Sequence, residues 1–129
     1  MIAVDTNILL RHFLEDDVEQ TERARRFLRD ERRRAEPAWV SHVVLAELAW
    51  VLRQRLGIGS KQIALAIRHL LDSEGVVVER ADVVESALAM DLPDLADALI
   101  HAMGKASGCS KTITFDERFA RQAGVFAPV

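Results

Sequence analysis

The stretch MIAVDTNILLR, residues 1–11, decides the fold of this chain. Residues 2–4 are apolar at consecutive positions, which is typical of a parallel strand covered on both faces. Asp5 follows directly, and Thr6 and Asn7 then open a helical pattern that runs through residue 13. A buried strand that passes straight into a helix is the repeating unit of α/β proteins with parallel sheets.

The same alternation continues along the chain. Further strands are predicted at residues 38–40, 76–78, 112–114 and, as an edge strand, 125–126. Further helices are predicted at residues 17–34, 42–56, 61–74, 82–90, 93–107 and 116–122, with Ser41 and Ser60 as the N-caps of the helices at 42–56 and 61–74. Because strands and helices alternate without a hairpin signal, we expect one domain over residues 1–129. Its predicted architecture is a three-layer α/β/α sandwich with a central parallel sheet of four to five strands.

Composition narrows the possible functions. The formal net charge of −3 argues against a general nucleic-acid coat, and aromatic residues at 5% provide no platform for stacking bases. The single cysteine forms no intrachain disulfide, which fits a reducing cytoplasm. No apolar run approaches the roughly 20 residues that cross a bilayer. We therefore expect a cytoplasmic protein that makes no membrane contact.

Four carboxylates stand apart from the mixed surface charges. They lie within or at the ends of apolar segments, without a Lys or Arg beside them: Asp5, Glu47, Asp97 and Asp116. We expect them to be mostly buried, and a buried carboxylate is costly unless a cation or a specific hydrogen bond compensates it. Glu47 is the clearest case, since its helical neighbours Val43 and Trp50 are apolar. A divalent metal among these side chains would relieve their mutual repulsion.

The expected fold would bring such carboxylates together. In parallel sheets, ligands bind outside the carboxyl ends of the strands, where the following helices also begin. Asp5 and Asp116 follow predicted strands, and Asp94 and Asp97 lie in the first turns of one predicted helix. Mg²⁺ prefers carboxylate, water and phosphate oxygens. The pattern therefore predicts hydrolysis of a phosphodiester or a phosphomonoester.

Structural alternatives exist for three of these residues. Asp94 is equally interpretable as a helix-dipole carboxylate. Asp97 forms a possible solvated stripe with His101 and Lys105 at i, i+4 spacing. Asp116 is a natural N-cap. Glu47 has no comparable structural role.

Four segments resemble a known family in order and spacing. They are MIAVDTNILLR, VSHVVLAELAWVL, LPDLADALIHAMGKASGC and TITFDERFARQAGV. Together they are similar to the four characteristic blocks of the PIN-domain family, and most similar to the VapC-type toxins of toxin–antitoxin pairs. The resemblance extends from residue 1 to about residue 125.

The resemblance implies a Mg²⁺-dependent endoribonuclease, with Mn²⁺ as an alternative ion. It also implies an RNA substrate, a homodimer and inhibition by a cognate VapB-type antitoxin. The metal-site acids that it implies are Asp5, Glu47, Asp97 and Asp116. The auxiliary residues that it implies are Asp94, at an often acidic position, and Asn7 and Thr114, which orient the carboxylates.

Two other functions are compatible with parts of the sequence. A haloacid-dehalogenase-like phosphatase also places an aspartate after its first strand, but it needs a second aspartate at the position of Asn7. A catalytically idle PIN-like binding protein would keep the fold alone, and the complete set of four carboxylates argues against it. The arginines of residues 23–34 are interpreted first as a solvated helix and second as a phosphate-steering patch.

Overall fold

The structure is a computed structural model that describes residues 1–121 and 126–129. Strands and helices alternate along the chain, as predicted. The chain divides into two units, residues 1–81 and 82–129. The prediction of a single domain over residues 1–129 stays a prediction.

The first unit contains a parallel sheet and four α-helices. Its elements are β1 (Ile2–Ala3), α1 (Thr6–Phe13), α2 (Val18–Arg29), β2 (Ala38–Val40), α3 (His42–Gln54), α4 (Ser60–Asp72) and β3 (Val76–Val78). The strands pair in the order β1-β2-β3, with Ile2 opposite Ala38 and Ala38 opposite Val76. The core of this unit is aliphatic. Its fully buried side chains are Leu9, Val40, Leu45, Leu48, Ile67 and Leu70.

The predicted helix over residues 17–34 is interrupted, which corrects the sequence analysis. Asp30 leaves the helical conformation at ψ 131°, and a 3-10 turn follows at Glu31–Arg34. The Asp30 carboxylate accepts a hydrogen bond from the backbone N of Arg32 at 2.9 Å. A short acidic side chain that binds its own backbone in this way competes with helix propagation.

Gly75 lies in the loop that precedes β3. Its φ of +80° favours glycine, and a Cβ atom at this position would lie 2.7 Å from Cβ of Arg33. The backbone therefore approaches the 3-10 turn more closely than any other residue type would allow.

The second unit contains a smaller parallel sheet. Its elements are α5 (Ala81–Ala89, whose first residue belongs to the first unit), α6 (Leu95–Ala106), β4 (Thr112–Thr114), α7 (Glu117–Ala120) and β5 (Phe126–Pro128). Thr112 pairs with Phe126. The predicted edge strand corresponds to β5, while residue 125 and the predicted helix end at residue 122 lie outside the described residues.

The α/β class with parallel strands is confirmed. In the described residues, the five strands form a three-stranded and a two-stranded parallel sheet. None of the described helices combines the length and the apolar character needed to span a bilayer.

Candidate active site

Asp5 is placed by the end of β1. Val4 is buried, and Asp5 then adopts an extended conformation and caps α1. Its Oδ1 accepts a hydrogen bond from the backbone N of Thr6 at 2.7 Å. Asp5 and Asn7 are both exposed. One carboxylate oxygen of Asp5 thus stabilises the start of α1 at the carboxyl edge of the sheet.

Glu47 lies on the outer face of α3. The buried residues of this helix are His42, Leu45, Leu48, Ala49 and Leu52. Glu47 is exposed together with Val43 and Trp50, which have 76% and 53% of their surface accessible. Because these three residues have i, i+4, i+7 spacing, they form one stripe opposite the core.

The expectation that the four carboxylates are mostly buried is wrong. Asp5, Glu47 and Asp116 are exposed, and Asp97 is half-buried. The apolar run around Glu47 surrounds the whole helix, whereas only one face of α3 packs on the core. Asp5 and Asp116 are helix caps, which lie where the chain leaves a strand for a surface helix.

Glu79 is a further carboxylate at the carboxyl edge of the first sheet, and it was not among the predicted site residues. It follows β3 as Asp5 follows β1, and its backbone N donates to the Val40 oxygen at 2.8 Å. Its Oε1 accepts from the backbone N of His42 at 2.9 Å, while Ser41 caps the same helix through Val44. The same signal, a carboxylate directly after a buried strand, could have identified it.

Asp94 and Asp97 begin α6 in the second unit. Asp94 is the N-cap, and its Oδ1 accepts from the backbone N of Ala96 at 2.9 Å and of Asp97 at 3.3 Å. Asp94 therefore stabilises the N-terminus of α6, which is the structural alternative that the sequence left open. It also orders the backbone that carries Asp97. Both side chains are half-buried.

Asp116 is ordered by Thr114 at the end of β4. The Thr114 Oγ1 accepts a hydrogen bond from the backbone N of Asp116 at 3.0 Å, and Asp116 Oδ1 accepts from the backbone N of Arg118 at 3.0 Å. Thr114 thus orients Asp116 through its backbone, not through its carboxylate. Asp116 is therefore the N-cap of α7, the structural role that its sequence position also predicted. Only Oδ1 accepts the capping bond.

His101 joins α6 to β4. Its Nδ1 lies 3.0 Å from Oγ1 of Thr112, and its ring is buried against Phe126 with ring centroids 5.5 Å apart. Burial lowers the pKa of His101, and the charge of Lys105 acts in the same direction. This contact links the helix that carries Asp97 to the strand that leads to Asp116.

Each unit carries part of the predicted site. Asp5 and Glu47 are carried by α1 and α3, which contact each other. Asp97 and Asp116 are carried by α6 and by the cap of α7, and both helices contact β4. Within the described residues, neither unit contains three His, Cys, Asp or Glu side chains grouped so as to hold a metal. The assignment of the four carboxylates as ligands stays a prediction.

The electrostatic setting of the carboxylates suits a cation. Within the described ranges, Asp5, Glu47 and Asp116 form no ion pair with Lys, Arg or His. Their free oxygens are hard donors of the kind that Mg²⁺ and Mn²⁺ prefer. The chemistry of this donor set therefore suits a hard divalent cation.

Comparison with known proteins decides the family. The family model of the PIN domain matches residues 2–125. The chain belongs to the PIN-domain family. This membership implies nuclease activity in general, and PIN-domain nucleases use divalent metal ions.

Other comparisons with this PIN domain are less specific. A solved structure with some similarity is VapC20 of Mycobacterium tuberculosis, a toxin that cleaves the sarcin-ricin loop. The two chains share 22% sequence identity over 97% of each, with a TM-score of 0.44. Among curated proteins, no significant match to this chain is found.

Proposed function

We propose that this PIN domain is a Mg²⁺-dependent endoribonuclease, with Mn²⁺ as an alternative ion, and that it acts as the toxin of a type II toxin–antitoxin pair. The proposal includes a homodimer in the cytoplasm and inhibition by a VapB-type antitoxin. The observation that carries it is that Asp5, Glu47 and Asp116 form no ion pair within the described residues of a chain that matches the PIN-domain model. The exposed Val43 and Trp50 beside Glu47 support contact with a protein partner.

The residues that would hold the metal are Asp5, Glu47, Asp97 and Asp116. The donor set is entirely oxygen, which suits Mg²⁺ or Mn²⁺ and not a zinc site built from Cys and His. A bound divalent cation lowers the pKa of water and stabilises negative charge on a phosphate.

The side chains of the site have separate tasks in hydrolysis. One of the four carboxylates accepts the proton of the attacking water. The water oxygen bonds to phosphorus as the bond from phosphorus to the 3′ oxygen breaks. The 3′ oxygen takes up a proton from solvent and stays on the upstream product as a hydroxyl, and the 5′-phosphate remains on the downstream product. Asp94 and Thr114 hold the backbones of Asp97 and Asp116 in place. Asn7, exposed in the first turn of α1, supplies a neutral amide beside Asp5 in sequence.

The two alternatives differ in their chemistry. A haloacid-dehalogenase-like phosphatase protonates its leaving group with an aspartate two residues after the nucleophile, and the amide of Asn7 cannot do this. An idle binding protein has no need for carboxylates that lack counter-ions at several helix caps. Neither alternative therefore accounts for Asp5 and Asn7 together with Asp116.

A cleavage assay tests the proposed function. Purified protein is incubated with end-labelled RNA and either Mg²⁺ or EDTA, and the ends of the products are sequenced. We expect internal cleavage with Mg²⁺, 5′-phosphate ends, and no cleavage in EDTA. A phosphatase would instead release inorganic phosphate from p-nitrophenyl phosphate and leave RNA uncut. Intact RNA under every metal condition would favour the idle binding protein and contradict the proposal.

A further inference from the structure

An open concavity of about 410 Å³ lies on the first unit, and it is lined mainly by arginine. We name it the arginine pocket and define it by Arg23, Arg26, Phe27, Asp30, Arg32 and Arg33. We propose that the arginine pocket binds a backbone phosphate group of the RNA substrate away from the cleaved bond. This inference rests on the proposed function, because it extends the RNA-binding surface of the same enzyme.

The pocket is formed by one face of α2 and the 3-10 turn. Arg23, Arg26, Phe27 and Asp30 have i, i+3, i+4, i+7 spacing, so they share a face of the helix. The opposite face is buried through Thr21, Ala24 and Leu28. The arginines of α2 are therefore not equivalent. Arg25 lies outside this pocket and forms an ion pair with Glu15 at 2.9 Å.

The charge of the pocket is strongly positive. Its one acidic lining residue, Asp30, is engaged by Arg32, whose Nη2 lies 2.6 Å from Oδ2. The hydrogen bonds from Arg32 lower the pKa of Asp30 to about 2, so this carboxylate stays ionised and paired. Arg23 and Arg26 are exposed and form no ion pair within residues 1–121 and 126–129. Their charges are available to an external anion.

Arg33 is the observation that points to a ligand. It is only 6% exposed, its Nη1 donates to the backbone oxygen of Glu36 at 3.0 Å, and its guanidinium lies 4.4 Å from the centroid of the Phe27 ring. Its buried Nε has no hydrogen-bond partner, and no carboxylate among the described residues pairs with its charge. A buried charge and a buried donor without partners are both costly. An anionic oxygen in the pocket would compensate the charge of this guanidinium.

The chemistry of the pocket selects phosphate over a nucleobase. Arg33 already covers the Phe27 ring, which leaves no second aromatic residue in the pocket for base stacking. Guanidinium groups bind phosphate oxygens through parallel N–H donors. A chain with a net charge of −3 needs such a local positive surface to bind a polyanion.

The pocket is separate from the carboxylates in the first unit. The 3-10 turn that carries Arg33 precedes β2, at the amino edge of the sheet. Asp5 and Ser41 follow strands at the carboxyl edge of the same sheet. The phosphate that enters the pocket is therefore not the one that is cleaved, and the RNA must extend beyond the site.

The salt dependence of RNA binding tests this inference. Binding of a fluorescently labelled single-stranded RNA 20-mer is measured in EDTA over a range of salt concentrations, so that no cleavage occurs. We expect Arg23→Gln with Arg26→Gln to weaken binding and to reduce the slope of log K against log salt by about 0.7, since the pocket binds one phosphate and each phosphate contact on a single strand contributes about 0.7. The matched control is Arg55→Gln with Lys61→Gln, which removes two exposed positive charges from the same unit.

The outcomes separate this inference from the proposed function. Recovery of the slope with Arg23→Lys and Arg26→Lys would support a direct charge contact. An unchanged slope in Arg23→Gln with Arg26→Gln, or an equal decrease in the control variant, would overturn the proposal that the pocket binds phosphate, even if Mg²⁺-dependent cleavage is normal. If the slope falls in the glutamine variant but the wild-type protein cuts no RNA, phosphate binding by the pocket would be supported and the proposed nuclease activity would be refuted. If Arg23→Gln with Arg26→Gln weakened binding of a polyglutamate peptide but not binding of RNA, the assignment of the pocket to an RNA phosphate would be wrong.

Discussion

Asp97→Asn is expected to lower the rate of RNA cleavage by roughly 10³-fold or more, equivalent to about 4 kcal/mol of transition-state stabilisation. The substitution keeps the size of the side chain and removes the charge that would bind the metal. Asp97 lies in the first turn of α6, where loss of a negative charge costs about 0.3–1 kcal/mol. The folded state should therefore persist while activity is lost, and single-turnover cleavage with thermal unfolding measures both.

A nearby carboxylate provides the matched control for this variant. Asp91 is exposed, and its positive φ of 52° is a conformation that asparagine tolerates. We expect Asp91→Asn to cut RNA at the wild-type rate. Normal cleavage by Asp97→Asn would remove Asp97 from the site. Equal losses in both variants would show that a general loss of negative charge, not metal binding, is responsible.

Asp5→Asn should also reduce cleavage by about 10³-fold, because the anionic ligand is lost. This effect can be separated from the role of Asp5 as a helix cap. Asparagine caps helices as well as aspartate does. The bond from the Thr6 backbone to residue 5 can therefore be retained, while the anionic ligand is lost. The measurement is the cleavage rate at saturating Mg²⁺, together with the denaturant midpoint of unfolding.

The cap of α2 is the control for Asp5. Asp17 is also an N-cap, half-buried, and its Oδ1 accepts from the backbone N of Gln20 at 3.0 Å. We expect Asp17→Asn to preserve both stability and cleavage. If Asp5→Asn kept full activity, or lost activity only in proportion to its unfolding, Asp5 would be a cap alone.

Much of the fold was predictable because local signals and tertiary packing agree. The consecutive apolar residues of β1, β2 and β3 form a parallel sheet as predicted. Ser41 begins α3 as its pattern indicated. Ser60 was predicted to cap α4, but Gly59 is the N-cap without a side-chain bond. Boundaries of this kind depend on backbone angles that composition does not determine.

The burial of the candidate carboxylates could not be predicted from apolar content. The run around Glu47 is apolar at nearly every position, so its sequence does not show which side of α3 faces the core. Packing decides this, and it leaves Val43 and Trp50 exposed beside Glu47. The identity of these carboxylates as isolated acids was visible in the sequence, whereas their exposure was not.

The arginine-rich segment shows a second limit. Its sequence mixes Asp30 and Glu31 with arginines, which is typical of a solvated helix. The structure distinguishes arginines that are paired, such as Arg32, from Arg33, which is buried without a carboxylate. The cause is the break at Asp30, which a local bond to the Arg32 backbone stabilises, and the close approach of Gly75, which is a contact between distant parts of the chain.

Isothermal titration of the purified wild-type protein with Mn²⁺, and in parallel with Mg²⁺, examines the link between the acidic residues and the ion without any RNA. We expect saturable heat from the wild type and its loss in Asp97→Asn, with Asp91→Asn behaving as the wild type. A wild-type protein that takes up neither ion, or an Asp97→Asn protein that binds them unchanged, would contradict a metal centre at these side chains.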